Sequence, residues 1–279
     1  MASLRPARIL GSVMDRRTRF RELHRGPLFV MPNAWDIGSA RILESMGFDA
    51  LATTSSGHAA SLGRSDQHVT REELLAHATE LAGAVDVPLN VDAERCFADD
   101  PEGVAETARL IALTGAAGFS IEDYDPRLDR IDPVAEAAAR VAAAAAVSQR
   151  EGLVLTARAE NHLYGIDDLA DTITRLRAYR GAGADVLYAP GLADHDAVRR
   201  LVDELQAPIN VLALRRGPSV GELAEIGVRR VSTGGGLTRA AYGALVAAAR
   251  ELQMAGTSTY LDAAISGQDL DAAFARPSG

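Results

Sequence analysis

The chain has 279 residues, 47% hydrophobic and 24% charged, the profile of a globular protein with enough material for a large core and still within reach of one domain. Its 29 basic residues stand against 38 acidic ones, a formal charge of −9, which would repel phosphate backbones and anionic lipid heads, so neither nucleic acid nor a membrane is expected as a partner. All 29 are arginine and none is lysine, which excludes Schiff-base aldolases, pyridoxal-phosphate enzymes and P-loop nucleotidases, each dependent on a lysine amine.

In chain order, Met1–Arg25 contains no apolar stretch of the kind found in a secretory signal, and a reducing cytoplasm is the expected location. From there the chain alternates short apolar runs with amphipathic stretches. The predicted strands are Leu28–Met31, Phe48–Thr53, Pro88–Asp92, Gly118–Glu122, Leu153–Arg158, Asp185–Ala189, Ile209–Leu212 and Val228–Ser232. They are continuously apolar rather than alternating, as a parallel sheet covered by helices requires. Between them, apolar residues recur at spacings of three and four, as in Ile37, Ala40, Ile42, Leu43 and Met46 or Leu169, Ile173, Leu176 and Tyr179. Gly47, Gly115, Gly183 and Gly227 each stand just before a strand, where a left-handed residue ends a helix. The longest apolar run, Val141–Val147, is mostly alanine and far short of the roughly 20 residues that span a bilayer.

Eight such units define a (β/α)8 TIM barrel, expected as a single domain over 1–279 with a helical tail from about residue 240. A doubly wound open sheet is the alternative, and it is disfavoured because Pro32-Asn33-Ala34-Trp35 follows the first strand where a Gly-rich dinucleotide fingerprint would stand. The tail comprises a helix over Ala240–Met254 and a further helical segment over Leu261–Phe274, which the barrel does not need. A dimer or tetramer in which the tail packs on a neighbouring copy is the expectation.

In a barrel, chemistry collects at the C-terminal strand ends. Here these read Thr53-Thr54-Ser55-Ser56-Gly57, Asp92-Ala93-Glu94, Glu122-Asp123 and Arg158-Ala159-Glu160-Asn161, and the seventh strand carries Asn210. Carboxylates gathered on one rim repel each other unless a cation or protons intervene, and hard oxygen ligands suit Mg2+ or Mn2+. The plainer alternative is that each acid caps a helix or pairs with an arginine.

The same residues resemble a known superfamily. Asn33-Ala34-Trp35-Asp36, Gly47-Phe48, Thr53-Thr54-Ser55-Ser56-Gly57, Leu62-Gly63, Asp66, Val91-Asp92-Ala93-Glu94, Ile121-Glu122-Asp123, Ala157-Arg158 and Gly183-Ala184-Asp185 are similar, in order and spacing, to the isocitrate lyase/phosphoenolpyruvate mutase superfamily over about Phe29 to Arg239. The resemblance implies a Mg2+-dependent barrel acting on small 2-oxo or 2-hydroxy acids through an enolate, with the last helix swapped between subunits. It further implies Asp92 as the direct metal ligand, Glu94 and Glu122 as holders of metal-bound waters, Asp66 as an acid near those waters, and Arg158 as the clamp on the substrate carboxylate. Thr54, Ser55, Ser56 and Gly57 would receive a substrate oxygen, with Asn210 also against the substrate.

Two departures narrow the reaction. Glu94 stands where an aspartate is usual. The loop after the fourth strand, Tyr124-Asp125-Pro126-Arg127-Leu128-Asp129-Arg130-Ile131, lacks the Lys-x-Cys-Gly-His of the lyases and the lysine and asparagine of the mutases. C–C lysis or decarboxylation of an oxaloacetate-like acid asks least of such a site; the alternatives are a C–P hydrolase or phosphonomutase, or a barrel that binds metal and acid without turnover. Cys96, His58, His162 and the run Ser232–Gly236 are further candidates, for acid, base and phosphate cradle respectively, each equally readable as ordinary structure. Arg215-Arg216 reads as a solvated or interface face.

Overall fold

The computed structural model describes residues 12–275; the first part of the segment read as lacking a signal, residues 1–11, lies outside the described residues. Eight parallel strands run in the hydrogen-bonded order β1-β8-β7-β6-β5-β4-β3-β2. They are β1 Phe29–Met31, β2 Leu51–Ala52, β3 Leu89–Asp92, β4 Gly118–Glu122, β5 Val154–Arg158, β6 Val186–Tyr188, β7 Ile209–Leu212 and β8 Arg230–Ser232. Each overlaps a predicted strand. A bridge from Asn33 to Ala52 joins the two ends into a nearly closed (β/α)8 barrel.

Asn33 is the closing staple. Its Nδ2 donates to the Thr53 carbonyl at 2.6 Å, and its Oδ1 accepts from the amides of Thr233 and Gly234 at 2.9 and 2.8 Å. One amide side chain thereby ties the ends of β1, β2 and β8 with three bonds that leave little conformational freedom. The four glycines expected before strands all take positive φ, between +89° and +105°, so their role as helix-ending left-handed residues holds.

Barrel register sets the rim. Glu122 pairs with Arg158, Arg158 with Tyr188, Tyr188 with Asn210 and Asn210 with Arg230, one row of polar partners across five strands. Asp92 pairs with Ser120 in the adjoining pair. At the opposite end of the barrel the helix Val13–Leu23 packs beneath β1, with its Arg17 buried and donating to the carbonyls of Ala112, Ala116 and Glu151. Two of these carbonyls close helices, where a cation meets the negative end of the dipole.

Between β4 and its following helix, the chain forms a small antiparallel hairpin, Tyr124–Asp125 against Arg130–Ile131. It is pinned from outside: Arg95 meets buried Asp132 at 2.9 Å and Asp125 at 3.5 Å.

The helix after β8, Gly236–Ala255, buries only Thr238. Leu245, Leu252 and Met254 are 64%, 48% and 84% exposed. It therefore projects from the barrel instead of packing along it. The expected Leu261–Phe274 helix is two pieces, a 3-10 turn Thr259–Ala263 and a helix Gly267–Phe274. Ser266 caps the second piece and starts it afresh, and its end lies on the chain's own helix Ile37–Ser45, where Arg41 donates to the Phe274 carbonyl at 3.3 Å. Among the described residues no helix is long and apolar enough to cross a membrane.

Candidate functional site

At the C-terminal mouth of the barrel lies a cavity of about 270 Å3 lined by Thr54, Ser55, Ser56, Asp66, Asp92, Arg158 and Asn210 among others. Seven residues singled out in the sequence thus line one cavity. Asp92 is fixed before any ligand arrives. Its amide donates to Thr53 Oγ1 at 2.8 Å, its Oδ1 accepts from Arg158 and Ser120 at 2.7 and 3.3 Å, and its Oδ2 accepts from the Ser55 amide at 3.0 Å. Each carboxylate oxygen offers about two lone pairs, so Oδ2 keeps one for a further partner.

Arg158 is the electrostatic hub. Its Nε meets Glu160 at 2.7 Å, one terminal nitrogen meets Asp92 at 2.7 Å and the other meets Glu122 at 3.1 Å. Burial alone would lower its pKa, but Glu160, Glu122 and Asp92 outweigh burial and raise it well above the usual arginine value. The expected clamp on a substrate carboxylate is, in this arrangement, a three-way ion pair. Its planar fork satisfies all three acids at once, which a lysine ammonium would not do in that geometry.

Glu122 and Glu94 do not line the cavity. Glu122 lies behind Arg158, 4% exposed, and also accepts from Gln67 Nε2 at 2.9 Å; burial drives its pKa well above the ordinary carboxylate range. Glu94, at φ +47°, opens onto a neighbouring recess with Gln67, Arg71 and Arg95. Burial, then the charges of Asp92 and Asp66, push its pKa up to about 8. Gly57 is likewise off the cavity. A Cβ there would stand 2.5 Å from Thr54 Cγ2 and 2.6 Å from Thr238 Oγ1, so its small size serves close packing of the helix Ser55–Ser61. Of the amides expected to receive a substrate oxygen, that of Ser55 is taken by Asp92 and that of Gly57 by the Thr54 cap at 3.3 Å.

Whether a hard cation suits this rim follows from the donors. Among the described residues no three His, Cys, Asp or Glu side chains group so as to hold a metal by themselves. Mg2+, however, is usually bound through one or two carboxylates with waters and substrate completing its shell. Asp92 with an unused lone pair, and Glu94, raised first by burial and then by Asp92 and Asp66 and with no ion pair among the described residues, form a crowded acidic edge of the kind a cation relieves.

The remaining candidates, apart from the glycine run after β8, lie off the cavity. Cys96 is fully buried in the core, its thiol pushed up to about 12 chiefly by burial. His58, on the Ser55–Ser61 helix, stacks on His77 at 3.8 Å, and His162 braces its loop through Thr172 at 2.9 Å. Arg215 and Arg216 are exposed. The glycine run after β8 does reach the cavity, through Gly234 and Gly235.

Sequence reasoning passed over four cavity residues, Tyr188, Arg230, Ser232 as a member of a polar relay, and Arg239. Tyr188 ends an apolar strand and reads as core; Arg230 sits inside a strand and reads as a break in it. Arg230 is in fact 1% exposed within the barrel, donating to Asn210 Oδ1 at 2.8 Å and Thr156 Oγ1 at 2.9 Å. Asn210, expected against substrate, is committed to this relay and donates to Ser232 Oγ at 2.9 Å. The signal for the three strand residues lay in the row of strand ends, visible only once the register is known; Arg239 stands in the helix after β8 and carries no such signal.

The fold and its acidic rim define a (β/α)8 barrel of the enzymatic kind, with its chemistry at the C-terminal strand ends. A family model described as phosphoenolpyruvate phosphomutase matches residues 20–253, and the chain belongs to the isocitrate lyase/phosphoenolpyruvate mutase superfamily, whose characterised members are lyases and mutases. It is 31% identical over 214 residues to an oxaloacetate decarboxylase from Paraburkholderia xenovorans, covering 72% of this chain and 69% of that one. It is 37% identical to the uncharacterized protein Rv1998c of Mycobacterium tuberculosis over 76% and 79% of the two chains. Among solved structures, a candidate lyase/mutase from Burkholderia cenocepacia J2315 superposes with a TM-score of 0.91 at 46% identity, over 95% and 97% of the two chains. Oxaloacetate acetylhydrolase in complex with its product oxalate superposes with a TM-score of 0.84 at 26% identity, over 95% of each chain.

Proposed function

We propose that the protein is a divalent-cation-dependent lyase that breaks a C–C bond in a small 2-oxo dicarboxylate, an oxaloacetate-like acid. The observation that carries this reading is the charge layout of the cavity. Asp92 and Arg158 mark one side, and the guanidinium of Arg239 lines the cavity with Ser56 and Gly235 beside it. Among the described residues no carboxylate forms an ion pair with Arg239. An exposed arginine with no carboxylate partner at the cavity's edge favours an anionic group, and its fork suits a carboxylate bidentately. Relatives that act on oxaloacetate support the same substrate class.

Asp92 would hold the cation directly and Glu94 and Glu122 its waters. When bound, the cation supplies Lewis-acid polarisation of the 2-oxo group. The chain's own residues do the rest. Arg239 fixes the far carboxylate, Ser55 and Arg158 hold Asp92 in place, and Asn33 keeps the rim closed around them. Preorganised charge of this sort is the largest contribution such a site can make, since no reorganisation is needed as negative charge develops.

Screening small 2-oxo and 2-hydroxy acids with Mg2+, with NMR detection of products, tests the reading. Depletion of oxaloacetate or a close analogue beyond the uncatalysed rate is expected. A second reading, a barrel that binds metal and acid without turnover, is favoured by the hairpin's lack of any lysine, cysteine or histidine. Saturable oxalate binding with no consumption of any acid would establish it in place of the first.

We also propose that a second copy covers the apolar recess lined by Trp35, Ile42, Leu43, Leu237 and Ala241. The projecting helix Gly236–Ala255 lends Leu237 and Ala241 to that recess and exposes Leu245 and Leu252 beyond it, so exchange of this helix between two copies would bury both surfaces.

A further inference from the structure

Breaking a C–C bond next to a 2-oxo group leaves an enolate whose carbon needs a proton, and the hairpin after β4 has no lysine, cysteine or histidine to supply one. Along the cavity wall, Tyr188 places a phenol for this task. It ends β6, lines the cavity, is 8% exposed, and its ring lies 5.6 Å from the Arg158 guanidinium. A directed relay runs beside it. Arg230 Nε donates to Asn210 Oδ1 at 2.8 Å, and Asn210 Nδ2 donates to Ser232 Oγ at 2.9 Å. Ser232 also lines the cavity, and with its oxygen already accepting from Asn210 its own proton is left to offer, an influence that favours the ionised tyrosine.

The rival pair on the rim fares less well. Tyr124 and Tyr164 stack at 3.7 Å, but neither lines the cavity, and the Tyr124 hydroxyl is committed to Asp129 at 2.9 Å.

We propose that Tyr188 is the proton donor to the enolate carbon, an assignment that rests on the lyase reading above. The C–C pair breaks, its electrons form the enolate C=C as the 2-oxo oxygen takes the charge, and carbon dioxide or a neutral fragment departs. The Tyr188 O–H bond then breaks, its proton joins the enolate carbon through the enolate electron pair, and the O–H electrons remain as phenolate. Ser232 donates to that phenolate and Arg158 faces its ring, and a proton from water restores the phenol. Burial pushes Tyr188 up to about 12, so the donor is fully protonated at neutral pH, as its task demands.

The test uses the full chain with Mg2+ and follows deuterium exchange at the methyl carbon of pyruvate in D2O by NMR, the microscopic reverse of protonation, beside oxalate affinity by calorimetry. Tyr188→Phe keeps the ring over Arg158 and removes the proton. It is expected to slow exchange and acid consumption at least about 100-fold, the lower range for a general acid, with oxalate affinity unchanged. Ser232→Ala, which leaves the phenol but removes the donor that stabilises the phenolate, should slow both by a smaller factor. Exchange in Tyr188→Phe at the wild-type rate overturns the assignment, as does a parallel loss of oxalate binding, which would mark a packing role. Wild type that consumes an acid while Tyr188→Phe keeps pace rejects Tyr188 alone; wild type that neither consumes an acid nor exchanges pyruvate rejects the lyase reading and Tyr188 with it.

Discussion

Arg158 donates to Asp92 Oδ1 at 2.7 Å while its other nitrogens hold Glu122 and Glu160, so the cavity's principal acid is oriented by a cation that two further acids anchor. Removing one partner of a buried network leaves uncompensated charge, at a cost of about 3–5 kcal/mol. Arg158→Lys should therefore lower thermal stability measurably and abolish oxalate binding, because one ammonium does not reach three carboxylates in the fork's geometry. Calorimetry together with a melting curve checks this; full oxalate affinity in the variant would show that Arg158 does not organise the site.

Two of the three acids facing that arginine should behave unequally. Asp92 lines the cavity and retains a free lone pair, whereas Glu122 sits behind Arg158 and reaches the site through it. Asp92→Asn is expected to abolish Mg2+-dependent binding of oxalate, and Glu122→Gln to weaken it only. Circular dichroism confirms folding in both. Unchanged affinity in Asp92→Asn would sink the metal assignment and the mechanism attached to it.

Much of this was legible in the sequence, and the reason is periodicity. All eight strands and the glycines before them announce themselves locally, because a buried parallel strand must be apolar and a helix must end. Asp92 and Arg158 were legible as polar residues closing apolar runs. What local pattern does not reveal is which neighbour a strand end meets. Arg158 reads equally as clamp or ion pair until the register sets it beside Glu122, and Gly57 reads as a substrate loop until Thr238, 181 positions later in the chain, is found against it. The projection of Gly236–Ala255 was hidden for the converse reason, since an amphipathic helix looks the same whether its apolar face meets its own barrel or another.

Cys96 should be dispensable. It is 0% exposed among core residues, and burial holds its thiol far from ionisation, which denies it nucleophilic or acid–base work near neutral pH. Cys96→Ser is expected to keep most of the activity, and a thiol reagent should label the native chain only after denaturant is added. A loss in kcat beyond about 100-fold with folding intact would restore a cysteine mechanism.

Exchange of the projecting helix predicts a dimer or larger assembly. Leu245 and Leu252 are seven residues apart and so share a helix face, and both are exposed in the single chain. Replacing both with glutamate should yield a monomer in light scattering and make melting independent of concentration. A wild type that is already monomeric at micromolar concentration would rule the exchange out.

The stacked histidines give a pH dependence with a definite sign. His77 lies 3.8 Å from His58 with the rings nearly parallel, and among the described residues His77 Nε2 and both His58 ring nitrogens have no hydrogen-bond partner. Burial first, then the neighbouring His58, lower His77 from 6.5 to about 3, with Asp36 opposing; His58 is lowered too, by burial, with Glu73 and Glu80 opposing and Arg64 assisting. Below pH 6.5 the unfolded chain takes up a proton at this position and the folded chain does not, until about pH 3. The unfolded state thus binds more protons across that window, and stability falls as pH falls through it, by up to about 1.4 kcal/mol per pH unit for one such group. His77→Phe keeps an aromatic ring against His58 and removes the titration. The stability of wild type relative to His77→Phe should therefore be constant above about pH 7 and decline steadily from pH 6.5 to 4 in chemical denaturation, a comparison in which the other titrating groups common to both proteins cancel. Parallel curves over that range would show that His77 is already protonated, or already solvated, in the folded chain.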